Sequence, residues 1–158
     1  MTVNTKQVTG RRDVHYDSYG DLLADAERLS NTQVEMLGNW SLGQILTHIA
    51  ASLDSSIDGS DFSLPGPVRW LMSMLMKNKF LTKPIPAGFK STKQFVPEPT
   101  STEEGLAAIR QAIKRQEQEA SRVPHPGFGK LTNEEWDAIN LRHAEMHMSF
   151  AVPKHDAP

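Results

Sequence analysis

Hydrophobic side chains recur at three- and four-residue intervals over most of the chain, as they do on amphipathic α-helices. The first helix is predicted from Asp17 onward, with an apolar face formed by Leu22, Leu23, Ala26 and Leu29. No segment of useful length alternates apolar and polar residues as a half-buried strand does. The pattern therefore predicts an all-α fold.

A second helix is predicted to begin at Ser41. Ser41 and Gln44 have the spacing of a capping box, in which each side chain bonds a backbone N–H that the first turn leaves free. The apolar stripe that follows consists of Leu42, Ile45, Ile49 and Leu53, and Gly59 is the expected terminator. His48 lies beside this stripe, near the middle of the helix.

Residues 64–86 predict a third, shorter helix that is apolar on most sides. Pro67 suits a first helical turn, and Met72 and Met76 extend the apolar character beyond one face. The expected buried face consists of Trp70, Leu71, Met74 and Leu75. Two interpretations are open: a short buried helix in which flexible methionines fill gaps, or a flap that binds a partner or substrate. Because the segment is more apolar than a monomer usually exposes, we also expect a homodimer contact, with a lid as the alternative.

Two further helices complete the pattern. One lies within residues 100–124 and directs Leu106, Ile109 and Ile113 inward. The last begins at Thr132, which has the spacing of a capping box with Glu135.

Four substantial helices, with a short extra helix in the connection between helices 2 and 3, predict an antiparallel four-helix bundle. We divide the chain into a flexible N-terminal arm (1–14), the bundle domain (15–152) and a C-terminal tail (153–158).

The amino-acid composition excludes several kinds of site and partner. The chain has 158 residues, 38% of them hydrophobic and 23% charged, which suits one globular domain. It has no cysteine, so disulfides, thiolate metal ligands and a cysteine nucleophile are excluded. Its formal net charge of −2 predicts no nucleic-acid partner. There is no apolar leader, and no apolar run approaches the ~20 residues that span a bilayer, so we expect a cytoplasmic protein with no membrane association.

One local charge bias stands out between Phe62 and Pro97, where no residue is acidic. The basic residues there are Arg69, Lys77, Lys79, Lys83, Lys90 and Lys93. The simpler interpretation is a solvated surface. The alternative is that Lys77, Lys79, Lys83 or Lys90 supplies charge for an anionic cofactor near the mouth of a site.

The candidate site residues are histidines. His143 and His147 lie one turn apart on the face of the last helix that carries Trp136, Ile139, Met146 and Phe150. Two imidazoles at this spacing can converge on one ion, and His48 is the candidate third ligand from a facing helix. Three protein ligands leave an open position, as in catalytic metal sites. The alternative is a set of core-edge histidines satisfied by backbone carbonyls.

The remaining histidines predict less chemistry. His125, in VPHPGFG, is expected to brace a proline-rich loop rather than to bind a ligand. His15 and His155 lie near the termini and are expected to face solvent.

The segments NWSLGQILTHIA and HPGFGKLTNEEWDAINLRHAEMH resemble the DinB-like superfamily of four-helix-bundle proteins, in particular a bacterial branch of unknown function. The shared pattern is a Trp, a Gln and a His around the second helix, then a His-Pro-x-x-Gly loop, a Trp and a His-x-x-x-His pair. The resemblance covers about Asp17 to Phe150. It implies a metal site at His48, His143 and His147, holding a divalent transition metal such as Zn, Ni, Fe or Mn.

The resemblance also implies a function. Relatives of that kind include metal-dependent enzymes that use low-molecular-weight thiols. We therefore expect a thiol-dependent S-transferase or a hydrolase acting on a small molecule, with Glu145 or Asp54 as candidate bases for hydrolysis. The alternative is a non-catalytic metal-binding or stress-associated binding module with the same fold.

Overall fold

The computed structural model describes residues 2–89 and 92–154. In that part of the chain the fold is mainly helical, as predicted. The helices are α1 (Tyr19–Ser30), α2 (Leu42–Asp58), α3 (Gly66–Thr82), α4 (Thr102–Gln118) and α5 (Asn133–Met148). A single 3₁₀ turn, Lys93–Phe95, lies between α3 and α4. None of the described helices combines the length and the apolar character that crossing a membrane requires.

Side-chain caps fix the first residues of four helices. The capping boxes pair Ser18 with Asp21, Ser41 with Gln44, Ser101 with Glu104, and Thr132 with Glu135. The predicted boxes of α2 and α5 are both confirmed. Since a cap sets the residue at which a helix begins, these two boxes also help to set which way the histidines of α2 and α5 point.

The main core lies where α2 packs along α4, with α1 against α4 and α5 against α2. All four residues of the predicted α2 stripe are buried, and Gly59 ends the helix with a positive φ of 90°. Ile109 and Ile113 of α4 are buried, while Leu106 is partly buried against the same core. Leu22, Ala26 and Leu29 contribute the α1 face. The inward faces of these three helices are therefore close to prediction.

The face predicted for α3 was wrong. Trp70, Leu71, Met74 and Leu75 are exposed, at 66%, 45%, 61% and 64%. The opposite side of the helix, with Met72, Met76, Phe80 and Leu81, packs on a second cluster formed by Phe128, Leu131, Trp136 and Ile139. The helix is apolar on most sides, so its spacing could not select the contact face. No residue of α3 is fully buried, which also contradicts the interpretation as a short buried helix.

A small antiparallel sheet was not predicted. It joins β1 (Val34–Met36) to β2 (Ala151–Pro153), with Glu35 opposite Val152. Leu37 extends the pairing by donating its N–H to the Phe150 carbonyl at 3.0 Å. The sheet ties the end of α5 to the segment that leads into α2, next to the histidine pair.

Part of the predicted N-terminal arm lies against the domain. The Arg12 backbone donates to the Ser149 carbonyl at 2.9 Å, and its guanidinium bonds Asp25 of α1 at 2.7 Å. Asp25 also accepts a 2.6 Å hydrogen bond from the buried Tyr16 hydroxyl. Two residues named in the sequence analysis, Lys90 and His155, lie outside the described residues.

Candidate metal centre

The three predicted histidines come together between α2 and α5. Nε2 of His143 lies 3.3 Å from Nε2 of His48 and 3.0 Å from Nε2 of His147. One ligand atom from each residue lies within 4.8 Å of the others. Nitrogen ligands around a tetrahedral ion, at bond lengths of about 2.0–2.1 Å, are about 3.3 Å apart. The group could therefore hold a metal ion, and its geometry does not identify which one.

A backbone carbonyl orients His48. Nδ1 of His48 lies 2.7 Å from the carbonyl oxygen of Phe95, in the 3₁₀ turn that follows α3. Because a carbonyl can only accept, Nδ1 carries the proton and donates, which leaves the lone pair of Nε2 directed into the cluster. Histidine ligands of metals commonly make this kind of contact. The Phe95 contact was missed because a backbone acceptor in a turn has no side-chain signature in the sequence.

An aromatic side chain supports the other edge of the cluster. The ring of Trp40 stacks on His147 at 5.5 Å and 17°, and its centroid lies 4.8 Å from that of His48. Trp40 precedes the α2 cap by one residue, so the start of α2 also places this ring. It belongs to the motif that carries the family resemblance, but the sequence alone gave it no role.

The cluster is electrically neutral near pH 7. Burial, with smaller contributions from His48 and His125, lowers the pKa of His143 to about 3. Burial is also the main cause of the lowered pKa of His147 and of His48. Neutral imidazole is the form that ligates metals, so the buried site favours the binding-competent state.

The histidines line a cavity of about 750 Å³ that extends from α5 to α3. The α5 face predicted to point inward lines this cavity, namely Trp136, Ile139, His143, Met146, His147 and Phe150. The tightest packing of α5 lies on another side, where Leu141, Ala144 and Met148 enter the main core. The helix therefore has two buried sides, which a search for one stripe does not separate.

His125 lines the same cavity and braces its loop, as predicted. Its Nδ1 accepts hydrogen bonds from the backbone N–H groups of Gly127 at 3.0 Å and Phe128 at 3.1 Å. The ring stacks on that of Phe128 at 4.8 Å, and burial lowers its pKa to about 4. Since Nδ1 is an acceptor, the proton of this neutral ring is on Nε2.

Other residues considered from the sequence lie elsewhere. Glu145 accepts hydrogen bonds from the Tyr16 backbone and from Arg142, and Asp54 pairs with Arg115. Neither carboxylate lines the cavity. Lys77 is bound to Glu135 at 2.6 Å, and neither it nor Lys79 or Lys83 is among the described lining residues. His15 is exposed, as expected.

The chain was also compared with known proteins. The model of one family, described as a protein of unknown function (DUF1569), matches residues 8–154. Comparison with curated proteins and with solved structures gave no match. The matched range contains all three histidines of the cluster and His125.

Proposed function

The chain belongs to the DUF1569 family, and on that premise we propose that it is a divalent-metal-dependent enzyme acting on a small molecule. Its ion would be held by His48, His143 and His147. The observation that carries the proposal is the meeting of three neutral imidazoles, one buried and two partly buried, Nε2 to Nε2, on the wall of a cavity. Three protein ligands leave room in the coordination sphere for water or substrate.

We further propose that α1, α2, α4 and α5 form the antiparallel four-helix bundle of the DinB-like superfamily, with α3 as the extra helix. The resemblance implies one histidine on the second helix and two on the last. His48 lies on α2, and His143 and His147 lie on α5, which supports this assignment.

The reaction proposed is an S-transfer that uses a low-molecular-weight thiol, or a hydrolysis. A divalent ion would supply Lewis acidity, which lowers the pKa of a bound thiol or water. The chain itself supplies orientation and mostly apolar surroundings. Phe95 holds the His48 ring through its carbonyl, Trp40 stacks on His147, and the cavity wall beside the cluster is mostly apolar.

The second candidate is a metal-binding or stress-associated module without catalysis. One observation favours it: no Asp or Glu is among the described residues that line the cavity, so a carboxylate general base is not available there. An S-transferase does not need such a base as strictly as a hydrolase does, since a thiol is already acidic.

Metal binding is tested on metal-stripped protein titrated with Co²⁺ or Zn²⁺. We expect one equivalent to bind, with Co²⁺ absorption typical of nitrogen ligation. His48→Ala and His143→Ala should each weaken binding by at least about tenfold, since each removes a direct ligand. His15→Ala is the matched control, because His15 is exposed and outside the cluster. Wild-type protein that binds no metal would overturn the proposal.

Catalysis is tested on the loaded protein with thiols and model electrophiles, and separately with activated esters. Turnover that is lost in His48→Ala and His143→Ala, but kept in His15→Ala, would support an enzyme. Stoichiometric metal without turnover on either panel would favour the binding module.

A further inference from the structure

We infer that the cavity beside the three histidines takes an uncharged, mostly apolar molecule with a ring system, and disfavours molecules that carry a net charge. This deepens the proposed function by naming the substrate class. Only the claim that the bound molecule is a substrate rests on the proposed function. The preference in binding follows from the residues that line the cavity.

The described part of the lining carries no ionic partner for a ligand. Among the described residues that form it there is no Asp, Glu, Lys or Arg. Its histidines already have partners: His48, His143 and His147 meet Nε2 to Nε2, and Nδ1 of His125 accepts from the backbone N–H groups of Gly127 and Phe128. A charged ligand would therefore lose hydration without gaining an ion pair.

The apolar lining is concentrated in aromatic rings. All six phenylalanines of the chain and two of its three tryptophans line this one cavity. The third, Trp70, lies on the exposed side of α3. Aromatic rings stack favourably on flat apolar molecules, and a volume of about 750 Å³ admits a molecule of two or three fused rings.

Several polar side chains of the lining are already bonded to protein. Asn39 exchanges hydrogen bonds with the Val3 backbone, and the Ser60 hydroxyl donates to the Phe62 carbonyl. The Asn140 amide donates to the Tyr19 hydroxyl. These groups contribute little free hydrogen-bonding capacity to a polar ligand.

Cationic side chains do occur nearby, in an adjoining hollow lined by Lys6 and Arg11, which shares lining residues such as Ala87 and Phe89 with the main cavity. The Arg11 guanidinium lies 4.7 Å from the centroid of the Phe150 ring, and it is not among the residues of the main cavity. An anionic ligand would have to reach this hollow to form an ion pair with Lys6 or Arg11.

The test is calorimetric titration of metal-free protein with three probes of one shape: 1-naphthol, 1-naphthalenesulfonate and 1-naphthylmethylammonium. Without metal, coordination cannot contribute to anion binding. We expect the neutral probe to bind at least about a hundredfold more tightly than either ion. In a Trp70→Phe background, the probe should quench emission from Trp40 and Trp136. Equal affinities for the ions, or no binding of the neutral probe, would overturn the inference.

A matched pair of variants tests the cause. Met72→Lys places a cation in the lining, whereas Met74→Lys places one on the exposed side of the same helix. We expect Met72→Lys to strengthen binding of the sulfonate by about tenfold, and Met74→Lys to leave it unchanged. No gain in Met72→Lys, with both variants folded by circular dichroism, would contradict the role assigned to charge.

The metal titration and the probe titration of the wild-type protein separate this inference from the proposed function. The probe titration uses metal-free protein, so binding of 1-naphthol does not depend on the metal. Neutral-probe binding in a protein that binds no metal would leave the inference standing and remove the proposed enzyme. Metal binding without probe binding would overturn the inference and leave the proposed function standing.

Discussion

Two separate parts of the chain hold His48. The segment at the start of α2 sets its position and places the Trp40 ring against it, and the Phe95 carbonyl fixes the proton on Nδ1. Each contact removes one freedom of the ring, so that Nε2 points to Nε2 of His143. An imidazole oriented in advance loses less entropy when it binds an ion, and this is the physical basis for treating the cluster as a built site.

His125 provides a prediction about the loop that borders the cavity. His125→Ala leaves the N–H groups of Gly127 and Phe128 without their acceptor and should lower the free energy of unfolding by about 1–3 kcal/mol. His125→Asn offers an amide oxygen near the position of Nδ1 and should lose less. Both variants lose the stacked ring, so their difference in urea midpoint measures the acceptor alone. Equal losses in the two variants would contradict the bracing role.

At the scale of single residues, the sequence could predict site residues that act through their side chains. The spacing of His143 and His147, and the place of His48 on its stripe, were enough to propose the cluster. The Phe95 carbonyl lies 47 residues from His48 in the chain and belongs to the backbone, so neither spacing nor residue type could reveal it. The hydrogen bonds that Glu145 accepts from Arg142 and from the Tyr16 backbone could not be predicted either. The Tyr16 contact depends on how the N-terminal segment folds back onto α5.

At the level of elements, the sequence predicted where helices begin but not which elements pack together. The capping boxes of α2 and α5 are readable because a cap and its partner are three residues apart. The strands β1 and β2 are each three residues long, too short to show alternation, and they pair across most of the chain. The contact face of α3 depends on a cluster built partly from α5, which the sequence of α3 does not contain.

The close crossing of α2 and α4 yields a second prediction. A Cβ added at Gly43 would lie 2.3 Å from the carbonyl oxygens of Thr100 and Ser101, which are backbone atoms that cannot swing away. Alanine normally stabilises a helix relative to glycine by about 0.5–1 kcal/mol, but Gly43→Ala should destabilise the protein because the helices must separate.

Gly20→Ala in α1 is the control. Its Cβ would meet only the Ser18 hydroxyl at 3.4 Å, so this variant should be neutral or more stable. Thermal unfolding of both variants, followed by circular dichroism, gives the comparison. A Gly43→Ala protein as stable as Gly20→Ala would show that the crossing is looser than described.

For the whole molecule, the exposed side of α3 bears on the expected homodimer. Trp70 and Leu75 are 66% and 64% exposed on one side of the helix, and apolar surface of this kind favours association. We expect dimerisation in sedimentation velocity runs at increasing concentration, and its loss in Trp70→Gln/Leu75→Gln. Because both side chains are exposed, the double variant should keep the melting temperature that the wild-type protein has at concentrations where it is monomeric. A wild-type protein that stays monomeric would favour a lid at this position.

The histidines of the cavity make the stability of the metal-free protein depend on pH. The pKa of His125 falls from an ordinary value of about 6.5 in the unfolded chain to about 4 in the fold, and those of His143 and His147 are also lowered. Between these values the unfolded chain binds more protons than the folded one. The free energy of unfolding should therefore rise with pH in this window. Conversely, it should decrease as the pH falls from about 6.5 toward about 4.

Each such histidine adds a slope of about 1.4 kcal/mol per pH unit between its two pKa values. The measurement is urea unfolding of metal-free protein at several pH values from 7.5 down to about 4.5. A flat profile would show that these rings are hydrated in the fold. His125→Asn removes one of the titrating rings and should reduce the slope by about 1.4 kcal/mol per pH unit in this window.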